Sequence, residues 1–162
     1  MTPAGSLEIR AAKPADAARI ADIYLASRRT LVAFAPLAHP DDDVRVWIAT
    51  VLLPAGGVRV AVAHGRVLAF CATSVETPVA GAAAQAWIDH LYLDPDAVGQ
   101  GIGRALLAAA LGDLPRPVRL YTFAQNTGAR RFYERHGFVA IEFGDGSGNE
   151  EGCPDVLYEL GR

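Results

Sequence analysis

The segment Val98-Gly99-Gln100-Gly101-Ile102-Gly103 constrains this chain more than any other. It stands between two regular patterns. Before it, residues 86–93 carry Trp87, Ile88, Leu91, Tyr92 and Leu93, a strand that Asp94-Pro95-Asp96 stops. After it, Leu106, Leu107, Ala110 and Leu111 mark a helix that Pro115 and Pro117 close. Glycines let the backbone turn tightly and expose successive N–H groups. The helix behind them adds about half a positive charge at its N-terminus, so a phosphate sits well there; the plain alternative is a tight turn that holds no ligand. Two familiar phosphate-binding turns are excluded. A Rossmann turn needs G-x-G-x-x-G/A, but the sixth position from Gly99 is Arg104, and no acid stands about 20 residues further on, near Phe123. A Walker A loop needs Gly-Lys-Ser/Thr, and the one lysine, Lys13, precedes Pro14.

The rest of the chain reads as alternating strands and helices. Residues 7–10 form a short strand, and Asp16 stands near the cap of a helix whose face carries Ile20, Ile23, Tyr24 and Ser27. Residues 28–40 break up around Pro36, His39 and Pro40 and read as a loop or a short irregular helix. Asp41, Asp42 and Asp43 open a second helix with a stripe of Val44, Trp47, Ile48, Val51 and Leu52. Val58–Ala63, a His64-Gly65 turn and residues 67–75 read as a hairpin, and residues 78–84 as a loop. Val118–Phe123 is a strand. Residues 126–137 form a helix with Asn126 as N-cap, Gly137 as C′, and an Arg130–Glu134 pair one turn apart. Ala129, Phe132, Tyr133 and His136 share a face of it. Strands at 138–143 and 156–160 flank a polar loop at 144–154. The order is β, α, α, three β, α, β, α, two β. With no repeat and no linker, we expect one mixed α/β domain over residues 1–162.

Composition removes several functional classes. Of the 162 residues, 51% are apolar and 20% charged, too apolar for disorder. A net charge of -3 argues against a nucleic-acid partner. No apolar run approaches the roughly 20 residues that span a bilayer, and the first residues carry no signal pattern. A cytoplasmic protein without membrane or nucleic-acid partners is therefore expected. Cys71 and Cys153 make neither a disulfide framework nor a cysteine-rich zinc site, and no metal is expected.

Leu91-Tyr92-Leu93-Asp94-Pro95, the glycine turn, Asn126, and then Arg131-Phe132-Tyr133-Glu134-Arg135-His136-Gly137-Phe138 form a combination that resembles the GNAT superfamily of acetyl-CoA-dependent N-acetyltransferases. The family turn, written Arg/Gln-x-x-Gly-x-Gly/Ala, aligns on residues 98–103, with Val98 replacing the usual Arg or Gln. The resemblance extends over nearly the whole chain. It implies a central, mostly antiparallel sheet with a splayed pair of parallel strands, flanked by about four helices. It implies acetyl-CoA as cosubstrate, with its pyrophosphate on the amides of Val98, Gly99, Gln100, Gly101, Ile102 and Gly103. Arg104 then supplies charge that Val98 lacks, and Asn126 contacts the cofactor or acceptor region. It further implies that Leu91, Tyr92 and Leu93 pair through their backbone with the pantetheine arm, and that the acetyl group enters where the strand from Trp87 leaves the one at Val118.

Acetyl transfer to an amine needs a bound thioester, a neutral amine, a stabilised oxyanion and a protonated leaving thiolate. The resemblance makes Tyr133 the candidate general acid; by itself, an aromatic on an apolar helix face reads as packing. Asp89, on the strand before the splay, is the preferred base. Strict alternation sets His90 on the opposite face, so at most one of the two faces the acceptor pocket. Acceptor specificity is assigned to the loops at 28–40 and 144–154. Phe34 and His39 are wall candidates with Trp47 behind them, and Glu150 and Glu151 attract a cationic amine. Both cysteines read as structural. The expected acceptor is a primary amine of a small molecule or peptide. The alternative is a non-catalytic acyl-CoA-binding regulator of the same fold. Homodimers are common in the family, though nothing in this sequence demands one.

Overall fold

The computed structural model describes residues 6–77 and 79–161. Its strands are β1 (Glu8–Ala11), β2 (Val58–Ala63), β3 (Arg66–Glu76), β4 (Gln85–Leu93), β5 (Val118–Phe123), β6 (Val139–Gly144) and β7 (Asp155–Leu160). The helices are α1 (Ala17–Leu31), α2 (Asp41–Trp47), α3 (Ile102–Gly112) and α4 (Thr127–Arg135). All seven strands join one mixed sheet in the order β1-β2-β3-β4-β5-β7-β6.

Alternation along the strands sends side chains into two cores. Phe70 and Ala72 of β3 face one way. They pack with Val58 and Val60 of β2 against Ile20 and Ile23 of α1 and against Val44 and Ile48. Ala69 and Cys71 face the other way. With Ile88, Val118, Leu120, Val156 and Tyr158 they pack under Leu106, Leu107 and Ala110 of α3 and Tyr133 of α4. Burying each large aliphatic or aromatic side chain of this kind contributes roughly 1.5–3 kcal/mol.

The sheet is interrupted at its centre. β4 and β5 run parallel but pair only at Ala86↔Val118 and Trp87↔Arg119. Beyond those pairs β5 continues along β7 from Val118 to Phe123, while β4 stays on β3 as far as Leu93. A β-bulge in β4 accompanies the divergence. Ala72 faces His90 and Thr73 faces Ile88, which leaves Asp89 as the extra residue. Bulges bend a strand and increase its twist. A wedge-shaped gap opens from Ile88 onward.

Three local expectations change. α1 runs to Leu31, so residues 28–31 are helical rather than the start of a loop. Arg28 and Arg29 stand in its last turn, where the helix dipole favours cations. The second helical stripe is α-helical only to Trp47; Ile48–Leu52 is a wider π turn, closed by Leu53 N–H to Ile48 O at 3.0 Å. The extra residue per turn carries Val51 off the stripe into solvent, 53% exposed. Arg130 and Glu134 meet through a third group: Arg130 Nε donates to the Tyr158 hydroxyl at 3.0 Å, and that hydroxyl donates to Glu134 at 2.7 Å.

Candidate active site

One wall of the gap is built from backbone. Gly99 and Gly101 both have φ of +82°, a conformation that costs a side-chain-bearing residue strain. A Cβ at either would meet nothing within 4 Å, so the outer surface of the turn is open to a ligand. Gly101 is the N-cap of α3, which aligns the turn with the helix dipole. Val98 is extended and half exposed, and Arg104 is exposed in the first turn of the helix. The turn is held from below by Asp94. Its carboxylate accepts from Asp96 N–H at 3.0 Å and from Arg19 of α1 at 2.5 Å, and Arg19 also donates to Val67 O at 2.9 Å. Burial opposes ionisation of Asp94, but the Asp96 amide and Arg19 outweigh it and hold the carboxyl below the usual range. The sequence contains both partners, yet nothing in it pairs residues 75 positions apart.

Next to the turn, the β4 edge from Ile88 to Leu93 faces the gap without strand partners on that side. Leu91 and Leu93 pack toward the α3 core, whereas the Tyr92 ring lies 5.0 Å from Tyr24 and 5.8 Å from Phe70 on the other side. Burial pushes the Tyr92 phenol up to about 12. Asn126 caps α4, its Oδ1 accepting from Ala129 N–H at 3.2 Å, and also borders the gap.

The gap widens into a cleft of about 620 Å³ whose other walls are side chains. Tyr133 borders it from α4 and is only 8% exposed. Its ring packs on Phe132, Phe138 and Tyr158 at 5.2, 5.6 and 6.5 Å. Burial first, then Cys71 and Tyr92 nearby, push the phenol far above its ordinary value, so it stays protonated.

Asp89 and His90 both line the cleft. Strict alternation would separate their side chains; the bulge at Asp89 interrupts that alternation in β4. Burial raises Asp89, the Ser74 hydroxyl opposes that, and Glu76 adds to it. Burial and then the Arg28 charge lower His90 to about 4, so its imidazole is neutral near pH 7. The His90 ring sits among Trp47, Tyr92 and Tyr24 at 5.5, 6.0 and 6.1 Å.

The loops at 32–40 and 144–154 meet across the cleft mouth. His39 bonds Glu150 at 2.9 Å, and the Cys153 thiol donates to Phe34 O at 3.8 Å. Asn149 ties its own loop to Cys153 O at 2.7 Å and to Asp155 at 3.1 Å. Phe34 is set back from the cleft, its ring edge-on to Phe123 at 6.0 Å, while Phe123 itself lines the wall. Arg28 joins the loops from α1. It donates to Ala35 O at 3.0 Å, to the Tyr24 hydroxyl at 3.2 Å and to Glu151 at 3.4 Å. Sequence reasoning left Tyr24 and Phe123 out of the site and gave Arg28, at the edge of the 28–40 segment, no role of its own. The available signal was their one-turn spacing on α1 for Tyr24 and Arg28, which places both on the face of Ile20 and Ile23.

Among the described residues no cluster of His, Cys, Asp and Glu comes together as a metal site, and no helix is long and apolar enough to cross a membrane.

The strand order, the splayed parallel pair and the glycine turn opening α3 define the fold of the GNAT acetyltransferases. A family model described as the acetyltransferase (GNAT) family matches residues 18–138, well over half of the chain, and the chain belongs to that family. Solved structures agree on the fold. The PaiA N-acetyltransferase of Thermoplasma acidophilum, in complex with coenzyme A, is 22% identical with a TM-score of 0.72, covering 97% of this chain and 99% of its own. Arabidopsis thaliana Naa50, in complex with the bisubstrate analogue CoA-Ac-MVNAL, is 18% identical with a TM-score of 0.72, covering 95% and 97%. Apo YjaB from Escherichia coli is 21% identical with a TM-score of 0.72, also covering 95% and 97%. No curated protein matches the chain in sequence.

Proposed function

We propose that this protein transfers the acetyl group of acetyl-CoA to a primary amine of a small molecule or peptide, by direct attack while both substrates are bound. The observation that carries the reading is the junction of the open glycine turn with an unpaired β4 edge that leads into a side-chain-lined cleft. The residues fit the cosubstrate. Amides of residues 98–103 at a helix N-terminus suit a pyrophosphate, with Arg104 and Asn126 at either end, and the free edge at Leu91, Tyr92 and Leu93 suits the amides of a pantetheine arm. When bound, acetyl-CoA supplies the acyl group and a thiol leaving group.

The chain's own groups then divide the work. A β4 backbone N–H near Leu91 points charge at the carbonyl oxygen, a role that costs no reorganisation because the strand is already fixed. Tyr133, protonated and buried, holds a proton for the leaving sulfur. Asp89 takes the proton from the incoming ammonium, directly or through water; a carboxyl raised by burial is a better base than an ordinary one. His90, already neutral, orients the amine as an acceptor of its hydrogen bond. Simultaneous binding is supported by the Naa50 relative, whose ligand is a bisubstrate analogue.

Calorimetric titration with acetyl-CoA, against dephospho-CoA and NAD as controls, tests the donor site. Saturable acetyl-CoA binding followed by free-thiol release with amines supports the enzyme. Binding without thiol release from any amine supports a non-catalytic acyl-CoA sensor instead, a reading that Val98 in place of Arg or Gln favours. Absence of binding rules out both.

A further inference from the structure

Three polar or charged side chains are buried among the described residues, Asp16, Ser27 and Arg28, and of these Arg28 alone borders the cleft. Burying a guanidinium is costly unless it is fully paired. Arg10 shows what full pairing looks like in this protein: it grips Asp16 with two bonds at 2.8 and 3.1 Å. Arg28 is different. Its Nε is buried without a partner. Two of its partners, the Tyr24 hydroxyl and Ala35 O, are neutral. Its one anionic contact, Glu151 at 3.4 Å, is single and long for a charge-assisted bond, where about 2.7–2.9 Å is usual. The guanidinium carbon lies 5.8 Å from the Tyr24 ring and 5.6 Å from the Phe123 ring, both cleft walls.

A planar fork at the cleft wall, fixed by packing on two aromatic rings and holding its anion through one long contact, matches a carboxylate. We infer that Arg28 is the receptor for an oxyanion on the acceptor, and that the acceptors are amino acids with an apolar side chain. This inference rests on the acetyltransferase reading above. Glu151 holds the anion position and yields it when the acceptor's carboxylate forms the tighter, two-bonded pair. The acceptor's side chain then lies against Tyr24, Trp47 and Phe123. A purely cationic acceptor fits less well. Its charge would face Arg28, and both loop glutamates are already engaged, Glu151 with Arg28 and Glu150 with His39.

The test compares phenylalanine with 2-phenylethylamine, which keeps the ring and the amine and lacks the carboxylate, across a panel that pairs each apolar amino acid with its decarboxylated amine. The wild type should show the lower KM for the amino acid of each pair. Arg28→Gln should raise the ratio of KM for phenylalanine over 2-phenylethylamine about ten- to a hundredfold, the range of a lost charge-assisted bond. Because Arg28 also ties the loops together, acetyl-CoA calorimetry confirms that the variant is folded, and Glu151→Gln provides a second arm on a surface loop. Removing the internal carboxylate should lower the same ratio about three- to tenfold. A glutamate that only clasps the loops would instead raise both KM values together, which overturns the proposal. Turnover of the amines but not the amino acids overturns it, as does acetyl-CoA binding without turnover of either set. Loss of acetyl-CoA binding by the wild type would sink the acetyltransferase reading itself.

Discussion

The two walls of the cleft use the chain in opposite ways. The wall proposed for the donor draws on one continuous stretch from β4 through the glycine turn into α3, and it presents backbone amides and a helix dipole. The wall proposed for the acceptor draws on α1, β4, β5, α4 and two loops, and it presents side chains. Its central contact joins residues 123 positions apart. A backbone-built wall depends on conformation, so it tolerates changes of side chain but not of φ. A side-chain wall depends on identity, so each position can be retuned for a different acceptor while the donor wall stays the same.

Substitutions should separate the two walls. The largest effect belongs to Tyr133→Phe, which should lower kcat about 10²–10⁴-fold, the usual contribution of a positioned acid or base. Its acetyl-CoA Kd should stay within about twofold by calorimetry, and a parallel loss of binding would mean that the walls are not separable. Next comes Gly101→Val. A β-branched side chain at φ +82° costs roughly 1–2 kcal/mol and obstructs the turn, so acetyl-CoA Kd should rise about tenfold or more. Val98→Arg works on the same wall in the other direction. Restoring the family's cation at this half-exposed position should tighten acetyl-CoA binding about three- to tenfold, roughly the net contribution of one ordinary hydrogen bond, because solvent screens the new charge. The smallest effect is expected of His39→Asn. With the His39–Glu150 pair 58% and 64% exposed, its loss should change thermal stability by less than about 0.5 kcal/mol while acceptor KM moves about twofold.

The pH dependence distinguishes the walls as well. Backbone amides do not titrate, so the donor wall contributes no slope to acetyl-CoA binding. On the acceptor wall, kcat/KM should rise with pH as the substrate ammonium loses its proton. It should show no basic decline from Tyr133, because a raised phenol stays protonated below its shifted pKa. His90 acts at the other end through stability. Its folded pKa, about 4, lies below the unfolded value of 6.5, so the unfolded chain binds the proton first. Stability should therefore fall as pH drops from about 6.5 toward 4, and His90→Asn should flatten that slope in thermal melts.

Much of the fold was legible because its signals are local. The order of strands and helices follows from hydrophobic period, from Asp94-Pro95-Asp96, and from Asn126 and Gly137 at the ends of one helix. The donor turn was legible for the same reason. The bulge at Asp89 was not, since it depends on the register that β3 imposes on β4. The extension of α1 to Leu31 was hidden because residues 28–40 read together around Pro36, His39 and Pro40, whereas burial of Ser27 and Arg28 makes the last turn of the helix part of the core. Glu150 and Glu151 were legible as charges near the acceptor, but not as partners of His39 and Arg28.

By itself, then, the sequence determined which segments become strands and helices, where the chain must turn, and that a glycine-rich turn opens α3. Each of these depends on residues a few positions apart, within reach of backbone dihedral preference and capping. The tertiary structure alone decided that β4 and β5 part after two pairs, that Asp89 and His90 border one cleft, and that Arg28 is buried against Tyr24 and Phe123 with Glu151 as its anionic contact. Those outcomes come from packing two cores on one twisted sheet, which brings together side chains whose separation in the chain carries no record of their meeting.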